Sequence, residues 1–355
     1  MRPLCLVAVL CVFACSGSGP SCPSGASMSG QSEQCGATVN RCANAQPATQ
    51  PGCSADGWCS QSAPAQGRSL SGLWGSDANN IWAVGLVDSI PGSTATILKW
   101  DGSTWELNTD VSPQPLNGIW GSDASNVWAV GLSGDIWRWS GSAWGPQQSG
   151  TRQALVGVWG SSAVSIWAVG GAGTILKFDG RSWTPQSSGT TNSLGGVWGL
   201  DDKNVWAVGY QGTLLKWDGN SWSPQNSGGT DVLIAVWGSA ADNIRVLGEK
   251  SVLHWNGITW TTRPALYPGY RVNALWGSDA SNLWAVGDGE LIMKWEGTQW
   301  KRRTLNNRVR SRDLSGIWGT DANNAWAVGE FGEILKWNGI TWLDQAQPDL
   351  GFFGP

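Results

Sequence analysis

The chain has 355 residues, with 22 Lys plus Arg against 26 Asp plus Glu, a net charge of −4 and only 14% charged residues. An acidic chain so lean in charge gives no electrostatic reason to bind nucleic acid. With 28 Trp against 3 Tyr and 5 Phe, together with 50 Gly, it reads as short strands and tight turns, and runs of helix formers are absent.

Residues 1–15, MRPLCLVAVLCVFAC, place one Arg before an unbroken small and apolar run, the pattern of an export signal. The apolar stretch 4–14 is too short to span a bilayer. Val12-Phe13-Ala14-Cys15 resembles the lipobox of bacterial lipoproteins, which makes Cys15 the expected lipidation site and a lipid anchor the expected link to the membrane. Residues 16–68 form a Ser-, Gly- and Cys-rich linker. All 8 Cys stand at or before Cys59. In an oxidising compartment Cys22, Cys35, Cys42, Cys53 and Cys59 read as disulfide candidates in a segment too poor in large apolar residues to fold by burial. With Cys15 lipidated five of them remain and one is unpaired, whereas with Cys15 free three bridges become possible. Their spacings contain no CxxC, so a zinc site is not expected.

From residue 69 to 347 the sequence repeats. LSGLWGSDANNIWAVG at 70–85 recurs as LNGIWGSDASNVWAVG, LVGVWGSSAVSIWAVG, LGGVWGLDDKNVWAVG, LIAVWGSAADNIRVLG, VNALWGSDASNLWAVG and LSGIWGTDANNAWAVG. The first Trp of each copy, Trp74, Trp120, Trp159, Trp198, Trp237, Trp276 and Trp318, follows its predecessor by 46, 39, 39, 39, 39 and 42 residues. Each copy breaks into four strand-like runs bounded by Gly, Asp, Asn and Ser; in the second these are 116–120, 127–130, 135–139 and 143–147. Four strands per repeat predict an all-β fold, a single seven-bladed β-propeller followed by a tail at 348–355.

Tryptophan recurs at four places per repeat. Phe178 and Arg245 replace it twice, and Trp58 and Trp137 are extra. A ring that returns in every blade fills a structural gap, so the repeated Trp are assigned to the core. Trp137, off this register, is the one kept as a sugar-stacking candidate.

TILKWDGSTW, GTILKFDGRSW, GTLLKWDGNSW and EILKWNGITW, each placed after a WAVG strand, resemble the repeats of the photosystem II stability and assembly factor family and of the wider Asp-box (BNR) propellers that include sialidases. The likeness covers residues 69–347. It implies a turn-ordering Asp between the third and fourth strands, matched by Asp101, Asp179 and Asp218, while Ser140, Asn256, Glu296 and Asn338 stand there in other blades. The turn is one residue shorter than the usual Asp-box and lacks its leading Ser or Thr. What the resemblance implies is a fold and an exported habit rather than an activity.

Chemistry is sparse. A sialidase-like site needs an Arg cluster, a Tyr nucleophile with a Glu partner and an acidic Asp, yet only Tyr210, Tyr267 and Tyr270 exist. Tyr267 and Tyr270 do share a connection with Arg263 and Arg271. The sole histidine, His254, replaces a repeated Lys on a strand and is expected at the surface, with no triad around it. Asp77, Asp123, Asp201, Asp279 and Asp321 precede a recurring Asn and read as turn residues rather than calcium ligands. No catalytic residue, metal or cofactor is therefore expected.

With the first strand innermost, the second-to-third loops and the blade-to-blade connections share one face. That face takes loop 87–95, Pro- and Gln-rich linkers such as 185–189, and a basic stretch holding Lys301, Arg302, Arg303, Arg308, Arg310 and Arg312. A run of this kind is solvated or forms a binding edge for an acidic partner. The expectation is a non-catalytic binding or assembly scaffold of the bacterial cell envelope, with an envelope protein or anionic surface glycan as partner. An Asp-box glycoside hydrolase is the alternative.

Overall fold

Each repeat closes on itself: its four strands pair antiparallel in chain order, giving seven four-stranded sheets. The computed structural model describes residues 65, 67–88, 94–108, 112–265, 267–305 and 312–344. The expected export signal at 1–15, Cys15, the linker cysteines, Trp58, Arg308, Arg310 and the tail lie outside them. The architecture is a seven-bladed β-propeller, and among the described residues the only helices are short 3-10 turns. Blades 1 to 7 occupy residues 68–108, 116–147, 155–186, 194–224, 233–264, 272–303 and 314–344.

The first strands adjoin one another around the axis, blade 1 touching blade 7 as well as blade 2, so they are the inner strands. In blade 2 the strands are Leu116–Asp123, Asn126–Gly131, Ile136–Trp139 and Trp144–Gln147. The inner strand runs three residues beyond the expected end at Trp120, because its ladder continues past a bulge to pair Asp123 with Asn126. The third starts one residue later than expected, since Asp135 closes the preceding 3-10 turn by donating its N–H to Leu132 O.

The second strands carry the deepest part of the core. Trp82, Trp128, Trp167, Trp206, Trp284 and Trp326 are fully buried or nearly so. Each fits into the slot toward the next blade. Trp82 lies 5.0 Å from Trp139 and 5.3 Å from Trp144, Trp167 4.9 Å from Trp217 and 5.1 Å from Trp222, and Trp284 4.9 Å from Trp337 and 5.2 Å from Trp342. A cation from the third strand covers the same ring: Lys99 sits 5.0 Å above Trp82, Lys177 4.8 Å above Trp167 and Lys294 4.9 Å above Trp284. The repeated Lys of ILKW thus belongs to the packing, with its apolar stem along the slot.

Ring closure uses the same contacts and, among the described residues, no shared strand. Leu70, Leu73, Ile81, Ala83 and Leu98 of blade 1 form one cluster with Trp326, Val328 and Ile334 of blade 7, and Ala65 joins it.

Trp137 faces the slot between blades 1 and 2. It is half-buried against the cluster of Trp82, Ile97 and Ala129, at the third-strand position where Leu98, Leu176 and Leu335 stand in other blades. The extra ring therefore packs from the same sheet face as Trp139, two residues away.

Candidate functional site

Strand order divides the loops between two faces. The inner-to-second and third-to-outer turns make a hairpin face. The second-to-third turns and the blade-to-blade connections make the opposite one, here called the linker face.

On the hairpin face the turns are self-contained. Asp101 Oδ1 accepts hydrogen bonds from the N–H groups of Ser103 and Thr104, both at 2.8 Å, and from Ser103 Oγ at 2.7 Å. The Thr104 N–H and then the Ser103 hydroxyl hold its pKa down, from 3.8 to about 2. Asp179 and Asp218 accept the equivalent pairs of N–H groups and are lowered for the same reason. Asn256 and Asn338 accept through Oδ1 with no charge. In the inner turns Asp123, Asp201, Asp279 and Asp321 hold the side-chain amides of Asn126, Asn204, Asn282 and Asn324. Among the described residues no group of three His, Cys, Asp or Glu comes together as metal ligands.

The linker face is stitched by backbone. Leu132 N–H donates to Pro115 O, Tyr210 to Ser193 O, Asp288 to Arg271 O and Glu330 to Asp313 O, so every such turn is anchored on the connection that enters its blade. The connections are ordered from within: Ser149 and Ser188 are buried, and each hydroxyl bonds the carbonyl two residues on. Loops held this way present side chains at little further entropic cost.

Large side chains emerge from this frame. Leu132, Tyr210, Tyr270 and Phe331 are all exposed, and each stands on a second-to-third turn or a connection. Phe331, 57% exposed, has φ +53°, a left-handed conformation that costs a bulky residue free energy. Ser133, Ala172 and Gln211 take the same left-handed conformation at the equivalent turn position, so what is particular to blade 7 is the exposed ring placed there.

Two of them, Tyr270 and Phe331, lie over blades 5 to 7, where arginines join them. Arg302 points toward blade 5, its guanidinium 4.9 Å from the Tyr267 ring and 5.2 Å from the Tyr270 ring, and Nη1 donates to Tyr267 Oη at 3.2 Å. The two rings meet edge-on at 5.3 Å. Arg271, beside them, pairs with Glu249 at 3.5 Å in solvent. Across the blade 6 turn, Glu290 N–H bonds Arg312 O, and Arg312 Nη1 pairs with the buried Glu333 carboxylate at 3.2 Å with its guanidinium 5.8 Å from the Phe331 ring. Two Arg and aromatic groups therefore stand on this face, Arg302 with Tyr267 and Tyr270, and Arg312 with Phe331.

The basic stretch that the sequence offers as one edge is divided by strand alternation. Lys301 and Arg303 face away from Arg302 and share the Glu296 carboxylate, both at 2.6 Å. Arg302 and Arg312 are committed to these aromatic groups, and Arg308 and Arg310 lie outside the described residues. Sequence reasoning passed over Phe331, Leu132 and the link between Tyr267 and Arg302. The available signal was a bulky residue at the turn position occupied by Ser133, Ala172 and Gln211 elsewhere.

Tyr267 and Tyr270 have no carboxylate within hydrogen-bond distance among the described residues, and the Tyr267 hydroxyl takes its hydrogen bond from Arg302. His254 is half-buried rather than at the surface. Its Nε2 lies 2.9 Å from Asn243 Oδ1, and burial, then Arg245, then Arg263 hold its pKa below the usual value.

No protein-family model and no curated protein matches the chain. Solved structures do. YCF48 bound to a D1 peptide aligns with TM-score 0.62 at 15% identity, covering 78% of this chain and 95% of that one. YCF48 from Cyanidioschyzon merolae aligns with TM-score 0.60 at 18% identity over 77% and 96%. Virginiamycin B lyase from Staphylococcus aureus aligns with TM-score 0.64 at 13% identity over 77% and 96%. At these identities the likeness establishes the fold, which an assembly of blades shares between a peptide-bound protein and a lyase.

Proposed function

We propose that the chain is an exported, non-catalytic binding or assembly scaffold of the bacterial cell envelope, tethered through lipidated Cys15, that docks a protein partner on the linker face over blades 5 to 7. The carrying observation is the Arg302 guanidinium held over Tyr267 and Tyr270. Arg and Tyr dominate protein-binding hot spots because they combine large contact area with directed polar groups. Here the cluster is ordered before any partner arrives. That one fold neighbour is a propeller with a bound peptide supports a protein partner ahead of an anionic glycan. The sialidase-like alternative has less support, since a Tyr nucleophile needs a carboxylate partner and Tyr267 is engaged by a cation.

The test is a photo-crosslinking residue placed in cells at Phe331, on the linker face, or at Ile340, 84% exposed on the hairpin face. A discrete protein adduct from position 331 and none from 340 is expected. Equal labelling from both would overturn the docking face. Binding of the purified protein to anionic glycans without any adduct would replace the protein partner, and sugar release from a fluorogenic glycoside panel would replace the scaffold with the hydrolase. A Cys15→Ala chain should leave the membrane fraction.

A further inference from the structure

The repeat breaks at one register pair, and a cleft lies there. In six blades a second-strand Trp pairs across the sheet with a third-strand Lys or Arg, as Trp82 with Lys99 and Trp284 with Lys294. In blade 5 the pair is Arg245 with His254. The cation has moved from the third strand to the second, and the slot toward blade 6 has lost its large ring. Arg245 stacks 4.3 Å over Trp295 of blade 6 where an indole lies in other slots. An open cleft of about 570 Å³ lies on the hairpin face between the two blades; a cleft of about 460 Å³ occupies the equivalent place between blades 3 and 4, so what sets this one apart is the Arg245 in its lining rather than its size.

Among the described residues no carboxylate neutralises that guanidinium. Its Nε is buried with no hydrogen-bond partner, and among the described residues no carboxylate lies within ion-pair distance of it. Asp242 lines the cleft without reaching it. A second cation, Arg263, is near enough that, after burial itself, its charge is what depresses the Arg245 pKa. Hydroxyls line the same space. Ser239 Oγ accepts from Asn243 Nδ2 at 2.8 Å, which leaves its own proton free to donate, and Ser281 stands on the blade 6 wall. His254 and Asn243 hold each other and fix the floor. A half-buried cation without a counter-ion, ringed by donors and facing solvent, is a site built for an anion.

We infer that this inter-blade cleft binds a carboxylate-bearing small molecule, with Arg245 as the anchoring cation. With Nε buried, the two Nη groups form the end that meets a carboxylate, the Ser239 and Ser281 hydroxyls supply the remaining donors, and the Trp295 face beneath holds Arg245 in plane. The site lies on the face opposite the Arg302 cluster and stands independently of the docking proposed there.

Titration calorimetry with glucuronate, with N-acetyl-aspartate and with neutral methyl glucoside tests it. Wild-type protein should bind at least one of the two carboxylates and not the glucoside, and which of the two binds distinguishes a sugar acid from an acidic side chain. Restoring the repeat with R245W/H254K should weaken binding by about tenfold or more, the loss expected for a charge-assisted pair. Should that variant misfold, R245Q must show the same loss. I340S, at an exposed turn of blade 7 away from the cleft, should bind as wild type. No carboxylate binding by wild type, or equal binding by the Arg245 variants, overturns the site.

Discussion

The indole of Trp318 in blade 7 lies across Gly75 in blade 1, so close that a Cβ on Gly75 would sit 2.7 Å from its Cη2 atom. The relation recurs around the ring, with Trp74 over Gly121, Trp159 over Gly199 and Trp276 over Gly319. Each inner-strand Trp-Gly pair is thus donor of a ring to one neighbour and receiver from the other. At Gly75 the same seam closes the propeller.

Gly75→Ala should therefore destabilise the whole ring. The added methyl meets the Asn80 carbonyl at 2.7 Å as well as the Trp318 ring, and a backbone atom cannot swing away. A loss of about 1–3 kcal/mol is expected from overpacking of this kind. Urea unfolding checks it, with Gly145→Ala as control, since a Cβ there meets nothing within 4 Å. Equal stability of the two variants would remove the seam from the account of closure.

Part of the acid side of the stability profile should come from the outer turns, beside a share from the inner-turn Asp123, Asp201, Asp279 and Asp321 and from Glu296, which are also held below their ordinary values. Thr104 N–H holds Asp101 charged in the folded state, as Ser182 N–H holds Asp179 and Ser221 N–H holds Asp218. A depressed folded pKa stabilises above the unfolded value near 3.8 and is lost as pH falls toward the folded one, about 2 for Asp101. Urea midpoints should thus fall between about pH 4 and pH 2. In D101N/D179N/D218N that slope should flatten while neutral stability stays close to wild type, because Asn256 and Asn338 already hold the same turn through Oδ1. An unchanged acid slope would assign it elsewhere.

Periodicity made the fold legible and hid the site, for one physical reason. Packing positions must be filled alike in every blade, so their Trp, Val and Gly advertise themselves by recurrence. Binding positions are the departures. Arg245 and His254 are visible as lone departures, but that they face each other across one sheet follows only from strand register. The basic stretch misleads in the opposite way. Lys301, Arg302 and Arg303 are neighbours in sequence, yet alternation along an outer strand sends Arg302 to Tyr267 and the other two to Glu296.

Phe331 should carry function at the expense of stability. Replacing it by Gly relieves a left-handed backbone that costs a side-chain-bearing residue roughly 1–2 kcal/mol, partly offset by the greater freedom of Gly in the unfolded chain. With the ring 57% exposed, little packing is lost. F331G should thus unfold within about 1 kcal/mol of wild type, or above it, while its yield of partner adduct from a crosslinker at Tyr210 falls. Clear destabilisation would mean that the ring packs rather than presents.

The Tyr267 and Arg302 pair allows the sharpest separation of the two roles. As an exposed contact it should add little to folding, about 0.5–1 kcal/mol for a cation over an aromatic ring in water. As the centre of a docking surface it should matter far more, because partner burial excludes water from the same atoms and truncating a hot-spot Arg or Tyr costs about 2 kcal/mol or more. Y267A, R302A and the double variant should therefore unfold within about 1 kcal/mol of wild type. Each should weaken capture of the crosslinked partner strongly, and the double variant should lose less than the two singles added, since one ordered cluster is removed once. Full additivity would mean that Arg302 meets the partner without help from Tyr267, and unaltered capture would move the docking surface away from blades 5 to 7.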